Sequence, residues 1–589
     1  MHVPLRPLAA LVTAGLCLTG LTALPAVATP IAEPVGTTTG DTGGLDLDAD
    51  GSVLHEVSTR AVAPGLDLTS FQRLEDKGWT SGNILVADLT EPTLSMEVLD
   101  SGSTTSPATV LDQVAGTGAV AAVNGNHFDM NYTNAPVLTT ITGGEVVNGY
   151  REANPAFTLA DGVAAIEYLS AAGILTIGGA AHELAGLNRA TVPAGAIGVY
   201  NERWGSASLD RPAGLPGETN VASAVVVDGV VTAVTDTVGE PTLPDGGQIL
   251  LGRGAGADVV RTLEVGQAVE ISIEPSSDVD LAIAGNVPLV LDGELANFPD
   301  EPVAARTVLG LTEDGSELLV ATVDGRSATA RGLTRVEMAE LMIDLGAHSA
   351  VNIDGGGSTT MVARPAGGTE PELVNVPSDG SPRVVANSLS FFSSADTEEL
   401  TDVAVRPVLD GDDAHHVLPG LQRTVEGVGL SDQLAGTDAQ GRFTVTSPGS
   451  LPNGDDANAV IAEQTRTGAV LTGVTPGPAT LSYKASGLTG AANLTVLGPL
   501  DHVTASTSQI AMEGEGDTAT IALTGHDADG FAAPIEVADV TATIGEGFTI
   551  APAGLGASRS PSPRPPAPAR PWPSSRWPAP WSRYLSPWA

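Results

Sequence analysis

Short apolar runs closed by turn residues recur from about residue 62 to 395, and this rhythm limits the fold more than any other feature. "NILVADL", "TLSMEVLD", "ASAVVVDGVV", "AVEISIE" and "SELLVATVDG" are rich in Val, Ile and Leu and are bounded by turn formers. Runs of that length suit β-strands rather than helices. The 70 glycines and 42 prolines across 589 residues supply the punctuation. Hydrophobic residues at 42% are enough to bury a sizeable core. Two segments carry helical signals. "SPATVLDQVAGTG" has Ser106-Pro107 at its expected start and glycines at its end. "TRVEMAELMIDLGA" has Thr334 and Glu337 placed as a capping box, apolar Met338, Leu341, Met342 and Leu345 at helical spacing, and Gly346 as terminator. The expected fold class is therefore α+β: a strand-rich catalytic domain with a few helices, followed by all-β immunoglobulin-like modules.

The chain divides by composition. Residues 1–28 have the pattern of an export signal: one arginine, an apolar stretch from Leu8 to Leu24, and Ala26-Val27-Ala28 as a small-x-small cleavage site. Cys17, the only cysteine, lies inside it, so the mature chain is expected to hold no disulfide, thiolate metal site or cysteine nucleophile. Residues 29–61 look like a flexible leader, and 62–397 form the expected catalytic domain. Residues 400–498 alternate short strands and turns like an immunoglobulin-like module, and 499–556 resemble a partial second one. Residues 557–589 contain no acidic residue, four of the six tryptophans and abundant proline, and are expected to be a disordered tail, either a frame-shifted reading or a basic, aromatic wall-binding segment.

The net charge of −44 argues against nucleic acid or an anionic membrane as partner. It leaves room for a phosphate-bearing substrate, because a local pocket can be positive on an acidic protein. No apolar run beyond the N-terminal segment is long enough to span a membrane.

Three segments concentrate chemistry. In "AAVNGNHFDMN", Asn124-Gly125 fits a hairpin turn, and His127 is either a satisfied buried histidine or an acid, base or donor. Around "AARTVLGLTEDGSELLVATVDGRSATARGLT", Arg306, Arg326 and Arg331 cluster at strand ends. A solvated surface charge is the plain alternative, yet a guanidinium there offers a planar fork for phosphate. In "NIDGGGSTTM", Asp354 is followed by Gly355, Gly356, Gly357, Ser358 and Thr359. Consecutive amides on a glycine turn suit an anion-binding nest, and Asp354 suits a base, a nucleophile or a hydroxyl acceptor. No lysine follows the glycines, so this is not a nucleotide P-loop. "DLDADG" at Asp46 to Gly51 lacks the rest of a calcium loop, and no H-x-x-H or cysteine cluster points to a metal. No cofactor is expected.

Together "AVNGNHFD", "ARTVLG", "VATVDGR", "GLTRVEMAELMIDLGAHSAVNIDGGGSTTM" and "NVPSDGSPRVVANSLSFF" resemble the phosphodiester glycosidase family over roughly residues 80 to 395. The sequence departs from the family pattern at Asn126-His127, Ala305 and Asn286. The resemblance implies cleavage of the bond between a sugar's anomeric carbon and a phosphodiester oxygen. It implies Asp354, Asp324 and His127 as catalytic candidates. Asn124, Gly125, Arg306, Thr307, Arg326 and the Gly355–Thr359 turn would bind substrate phosphate, with Arg383 and Asn387 nearby. The expected partner is a phosphate-linked glycan met outside the cell, with cell-wall contact through the C-terminal modules. The alternatives are a non-catalytic binder of anionic or cell-wall glycans and an exopolysaccharide assembly factor.

Overall fold

The structure, a computed structural model, describes residues 38–39, 42–47, 51–327, 330–409, 412–447, 457–507, 509–510 and 518–542. The signal-like segment 1–28 with Cys17, much of the 29–61 leader, residues 543–556 of the partial module and the 557–589 tail lie outside them.

The expectation of an α+β class is overturned. Among the described residues strands hold 48% against 8% in helices. Both expected helices form, but they are short. The Thr334–Glu337 capping box forms and starts α1 (Arg335–Asp344, 10 residues). "SPATVLDQVAGTG" yields only Val110–Val114, capped by Thr109 rather than Ser106. Glycines at 116 and 118, both at positive φ, close it off within a turn and a half. A helix that short buries too little surface to form a layer of its own.

The strands that position the candidate site belong to two antiparallel sheets. The first runs, in spatial order, β1 (Val53–Ala63), β2 (Leu66–Glu75), β3 (Gly78–Asp88), β8 (Glu317–Val323), β7 (Arg306–Leu311), β9 (Ser349–Asn352) and β6 (Val287–Leu291). The second sets β10 (Met361–Ala363), β5 (Ala119–Asn124), β11 (Ser388–Ser393) and β4 (Leu94–Leu99) side by side. Leu68, Leu85, Val123, Leu309, Val351, Met361, Leu389 and Phe391 fill the layer between them. On the far face of the first sheet, Met338, Leu341 and Met342 of α1 pack on Val308, Leu319, Ala321 and Ala350. Covered on both faces, β5 and β7 are buried at every position, which explains why they are apolar apart from Asn124 and Arg306-Thr307 at the rim.

A ten-stranded sheet holds most of the strands between residues 140 and 284 around two further cores. The described strands between residues 402 and 496 form two sheets around Phe443, Leu471, Leu481 and Tyr483, antiparallel except where His416–Val417 runs parallel to Thr495–Val496. The buried Arg364 ties that sandwich to the first sheets by donating from Nη1 to Gln433 Oε1 at 2.6 Å. Among the described residues no helix is long and apolar enough to cross a membrane.

Candidate functional site

Register alone brings the chemistry-bearing segments to one rim. Arg306 at the start of β7 pairs with Val323 at the end of β8, so Asp324 follows at the edge. Asn352 at the end of β9 pairs with Val308, which sets Asp354 at the same edge. Two strand spacings, about 10 Å, separate the ends of β8 and β9. The loop after β5 reaches this rim through a bond from Asn124 Nδ2 to the Asp354 carbonyl at 2.8 Å.

Asp354 is the centre of the cluster. Its Oδ1 lies 3.7 Å from His127 Nε2 and accepts the Gly355 amide at 3.0 Å. Ser358 donates its hydroxyl to the same carboxyl. Arg383 Nη1 donates to Ser358 Oγ at 3.3 Å, so a guanidinium stands one hydroxyl away from Asp354. Burial pushes the Asp354 carboxyl above its ordinary range, against the opposing pull of His127, Ser358, Gly355 and Arg383. Burial likewise lowers His127, with Asp354 working in the opposite direction.

The tautomer of His127 follows from two amides behind it. Asn352 Nδ2 donates to the Ile353 carbonyl and to Asn286 Oδ1, both at 2.9 Å. That leaves Asn286 Nδ2 facing His127 Nε2 at 3.2 Å. An amide N–H there needs a lone pair on Nε2, so the neutral ring carries its proton on Nδ1. His127 Nδ1 is buried and has no hydrogen-bond partner among the described residues. The nitrogen that accepts from Asn286 is also the one near Asp354 Oδ1.

The glycine turn folds as a short 3-10 turn, Gly356–Ser358, with Gly356 at φ 64°. Its amides are mostly committed within the protein. Gly355 bonds Asp354 Oδ1, Gly356 bonds the Ala305 carbonyl at 2.8 Å, and Ser358 and Thr359 close turns onto Gly355 and Gly356. The bare backbone serves close approach instead. A Cβ on Gly356 would meet the Arg326 guanidinium at 3.7 Å, and one on Gly357 would collide with Arg383 and Asp379. Two arginines therefore lie over the turn. Arg383 is paired with Asp379 at 2.6 Å. Arg326 is exposed, has its backbone at φ 61°, and has no ion-pair partner among the described residues. A non-glycine residue in the left-handed region is strained and worth attention at a site.

Other expected site residues serve the scaffold. Arg306 is buried, and its fork is committed to the Leu333 carbonyl (3.1 Å), Glu301 (3.2 Å) and the Pro302 carbonyl (2.8 Å). Arg331 is tied to Glu75 and Glu337. Asn124 Oδ1 accepts from Thr307 Oγ1 (2.8 Å) and the Thr360 amide (3.0 Å), joining the two sheets. Thr307 also bonds Thr359 at 3.3 Å. A Cβ on Gly125 would strike Asn387, which is bonded to Asn126. Asp324 turns into the layer between the sheets, where it accepts from Asn375 Nδ2 (3.2 Å) and the Val376 amide (3.1 Å). Burial pushes its carboxyl up to about 7.

Sequence reasoning passed over Asp379, Asn352 and Asn375, and noted Asn286 only as a departure from the family pattern. Asp379 stands four residues before Arg383 in "SDGSPR", and that spacing is its one visible signal. The asparagines act through contacts distant in sequence. Among the described residues no group of three or more His, Cys, Asp or Glu is placed to hold a metal ion.

Residues 220–392 match the family model described as phosphodiester glycosidase. A stretch of 94 residues is 34% identical to the SPbeta prophage-derived uncharacterized protein YomE of Bacillus subtilis, covering 16% of this chain and 14% of that protein. The chain thus spans a small part of that relative's length. A putative exported protein from Burkholderia pseudomallei aligns with a TM-score of 0.48 at 19% identity, over 62% of this chain and 99% of that one. A hypothetical protein from Synechocystis gives 0.47 at 19% identity, over 62% and 75%. The zebrafish N-acetylglucosamine-1-phosphodiester alpha-N-acetylglucosaminidase catalytic domain gives 0.30 at 16% identity, over 61% and 89%.

Proposed function

Because residues 220–392 belong to the phosphodiester glycosidase family, we propose that the protein is a hydrolase that cleaves the sugar C1–O bond of a sugar-1-phosphodiester. The observation that carries the reading is the Asp354–His127 pair, 3.7 Å apart at the foot of a glycine turn over which Arg326 and Arg383 lie. The leaving group is a phosphate monoester of low pKa, so it needs little help from a general acid. What the reaction needs is cationic charge beside the departing phosphate and a carboxylate beside the developing oxocarbenium ion. Arg326, with no ion-pair partner among the described residues, supplies the first, assisted by Arg383. Asp354 supplies the second, as nucleophile or as base toward water. His127, with Nε2 3.7 Å from Asp354 Oδ1, is placed to exchange a proton beside it. Asp324 and Arg306 hold the rim in shape from behind.

The signal-like N-terminus supports action outside the cell on a phosphate-linked surface glycan. The sandwich at 402–496 supports a role for immunoglobulin-like modules as spacers or wall contacts, with the catalytic domain at 62–397. The test is incubation of the protein with GlcNAc-1-phosphodiesters and teichoic-type polymers, reading liberated reducing sugar. Release that is lost in Asp354→Asn supports the reading. Saturable binding without release from any substrate would replace it with a glycan-binding role.

A further inference from the structure

Asn286, just before β6, is held by Asn352 through both backbone and side chain. Its backbone amide donates to the Asn352 carbonyl at 3.0 Å, and its Oδ1 accepts from Asn352 Nδ2 at 2.9 Å. Asn352 cannot turn its own amide round, because the same Nδ2 donates to the Ile353 carbonyl, which can only accept. A backbone oxygen thus fixes the orientation of both amides, and Asn286 presents Nδ2 to His127 Nε2 at 3.2 Å. Asp354 Oδ1 lies 3.7 Å from the same nitrogen, beyond hydrogen-bond reach. A ring nitrogen has one in-plane position, so Nε2 serves one neighbour at a time. The neutral ring gives its lone pair to Asn286, and an imidazolium would give its N–H to Asp354.

We propose that Asn286 is a positioning residue that holds His127 neutral and out of an ion pair with Asp354, so that the carboxylate stays free to act on substrate. The proposal rests on the functional reading above and adds to it the control of its carboxylate. Protonation of Nε2 would set an N–H against the N–H of Asn286, and that amide cannot flip without breaking its bond to Asn352. A carboxylate tied to an imidazolium is a weaker nucleophile and a weaker base than an untied one. The other charges that act on His127 are Arg335, Glu301 and Arg306. Glu301 is shared by the two guanidiniums, at 2.9 Å from Arg335 and 3.2 Å from Arg306, a balance that also opposes an imidazolium. Burial of the ring works in the same direction. Asn286 and His127 both stand where the sequence departs from the family pattern, so the contact belongs to this chain's own residues.

The test is nitrogen NMR on the full-length protein labelled at histidine, with the His127 signals identified as those missing from His127→Gln. At about pH 7 wild type is expected to show a neutral His127 ring with its proton on Nδ1. Asn286→Asp keeps an oxygen for Asn352 Nδ2 and replaces only the donor facing Nε2 with an acceptor. It is expected to move the proton to Nε2 and to raise the apparent pKa of His127 by about one unit or more. On a GlcNAc-1-phosphodiester it is expected to lower kcat about tenfold with KM little changed. A wild-type ring that carries its proton on Nε2, or is an imidazolium, overturns the proposal. So does an Asn286→Asp protein in which either the His127 pKa or kcat is unchanged. If Asn286→Asp does not fold, the wild-type spectrum decides alone. If wild type hydrolyses no phosphodiester, the functional reading fails on its own, and the NMR outcomes still decide whether Asn286 holds His127 neutral.

Discussion

His127 Nε2 faces Asp354 Oδ1 at 3.7 Å, and burial moves the two groups toward each other in pKa, the carboxyl upward and the imidazole downward. They titrate as a coupled pair, so the apparent values belong to both. Catalysis by Asp354 needs its ionised form. The acid limb of kcat/KM against pH is therefore expected above the ordinary carboxylate range. The imidazolium's charge is the largest influence opposing burial at Asp354. Removing it in His127→Gln should move the limb to higher pH, and a limb that stays put or moves down would separate the two residues functionally.

Arg326 and Arg306 should respond in opposite ways to replacement. Arg326 is exposed and has no ion-pair partner among the described residues, so Arg326→Ala should raise KM for a phosphodiester by at least about tenfold with little change in Tm. Arg306 is buried with three acceptors around its fork. Arg306→Ala should cost roughly 2–4 kcal/mol of stability, because a buried fork is removed from Glu301 and the Leu333 and Pro302 carbonyls, of which Leu333 keeps only the Ala304 amide. Thermal melts and steady-state kinetics on both variants check the contrast.

Gly357→Ala tests the arginine layer without touching a charge. The new Cβ would meet the Arg383 guanidinium and Asp379, both at the ends of side chains that can move. The fold should survive with a small change in Tm. Sugar release should fall about tenfold or more, because Arg383 is displaced from Ser358 and Asp354. A fully active Gly357→Ala protein would remove Arg383 from the reaction.

Asp324 predicts a stability profile. Its folded pKa of about 7 lies above the ordinary value of 3.8, so the folded state holds the proton more tightly than the unfolded chain. The contribution is fully present below about pH 4 and is lost as pH rises through 7, a change of roughly 4 kcal/mol at most. Asp324→Asn should flatten this slope. Denaturant melts at pH 4, 5.5 and 7 read it directly.

The strand-rich character and the capping box at Thr334–Glu337 were legible in the chain, because each rests on local patterning. The helices' small share was not, since helix length depends on where glycines at positive φ interrupt the turn. Among the arginines, sequence placed Arg306 and Arg326 on equal footing. Strand-end position says that a guanidinium lies near a rim but not which side of the sheet it takes.

The sequence by itself determined which residues stand at strand ends and that the turn after Asp354 is bare backbone. Only the tertiary structure decided their uses. It committed most of the turn's amides to the protein, turned Asp324 into the inter-sheet layer, engaged Arg306 with Glu301, and set Asp354 against His127. The physical reason is that hydrogen-bond saturation and burial are properties of the neighbours a residue meets across hundreds of positions, such as Asn124 with Asp354 or Asn286 with His127, and no local pattern encodes them.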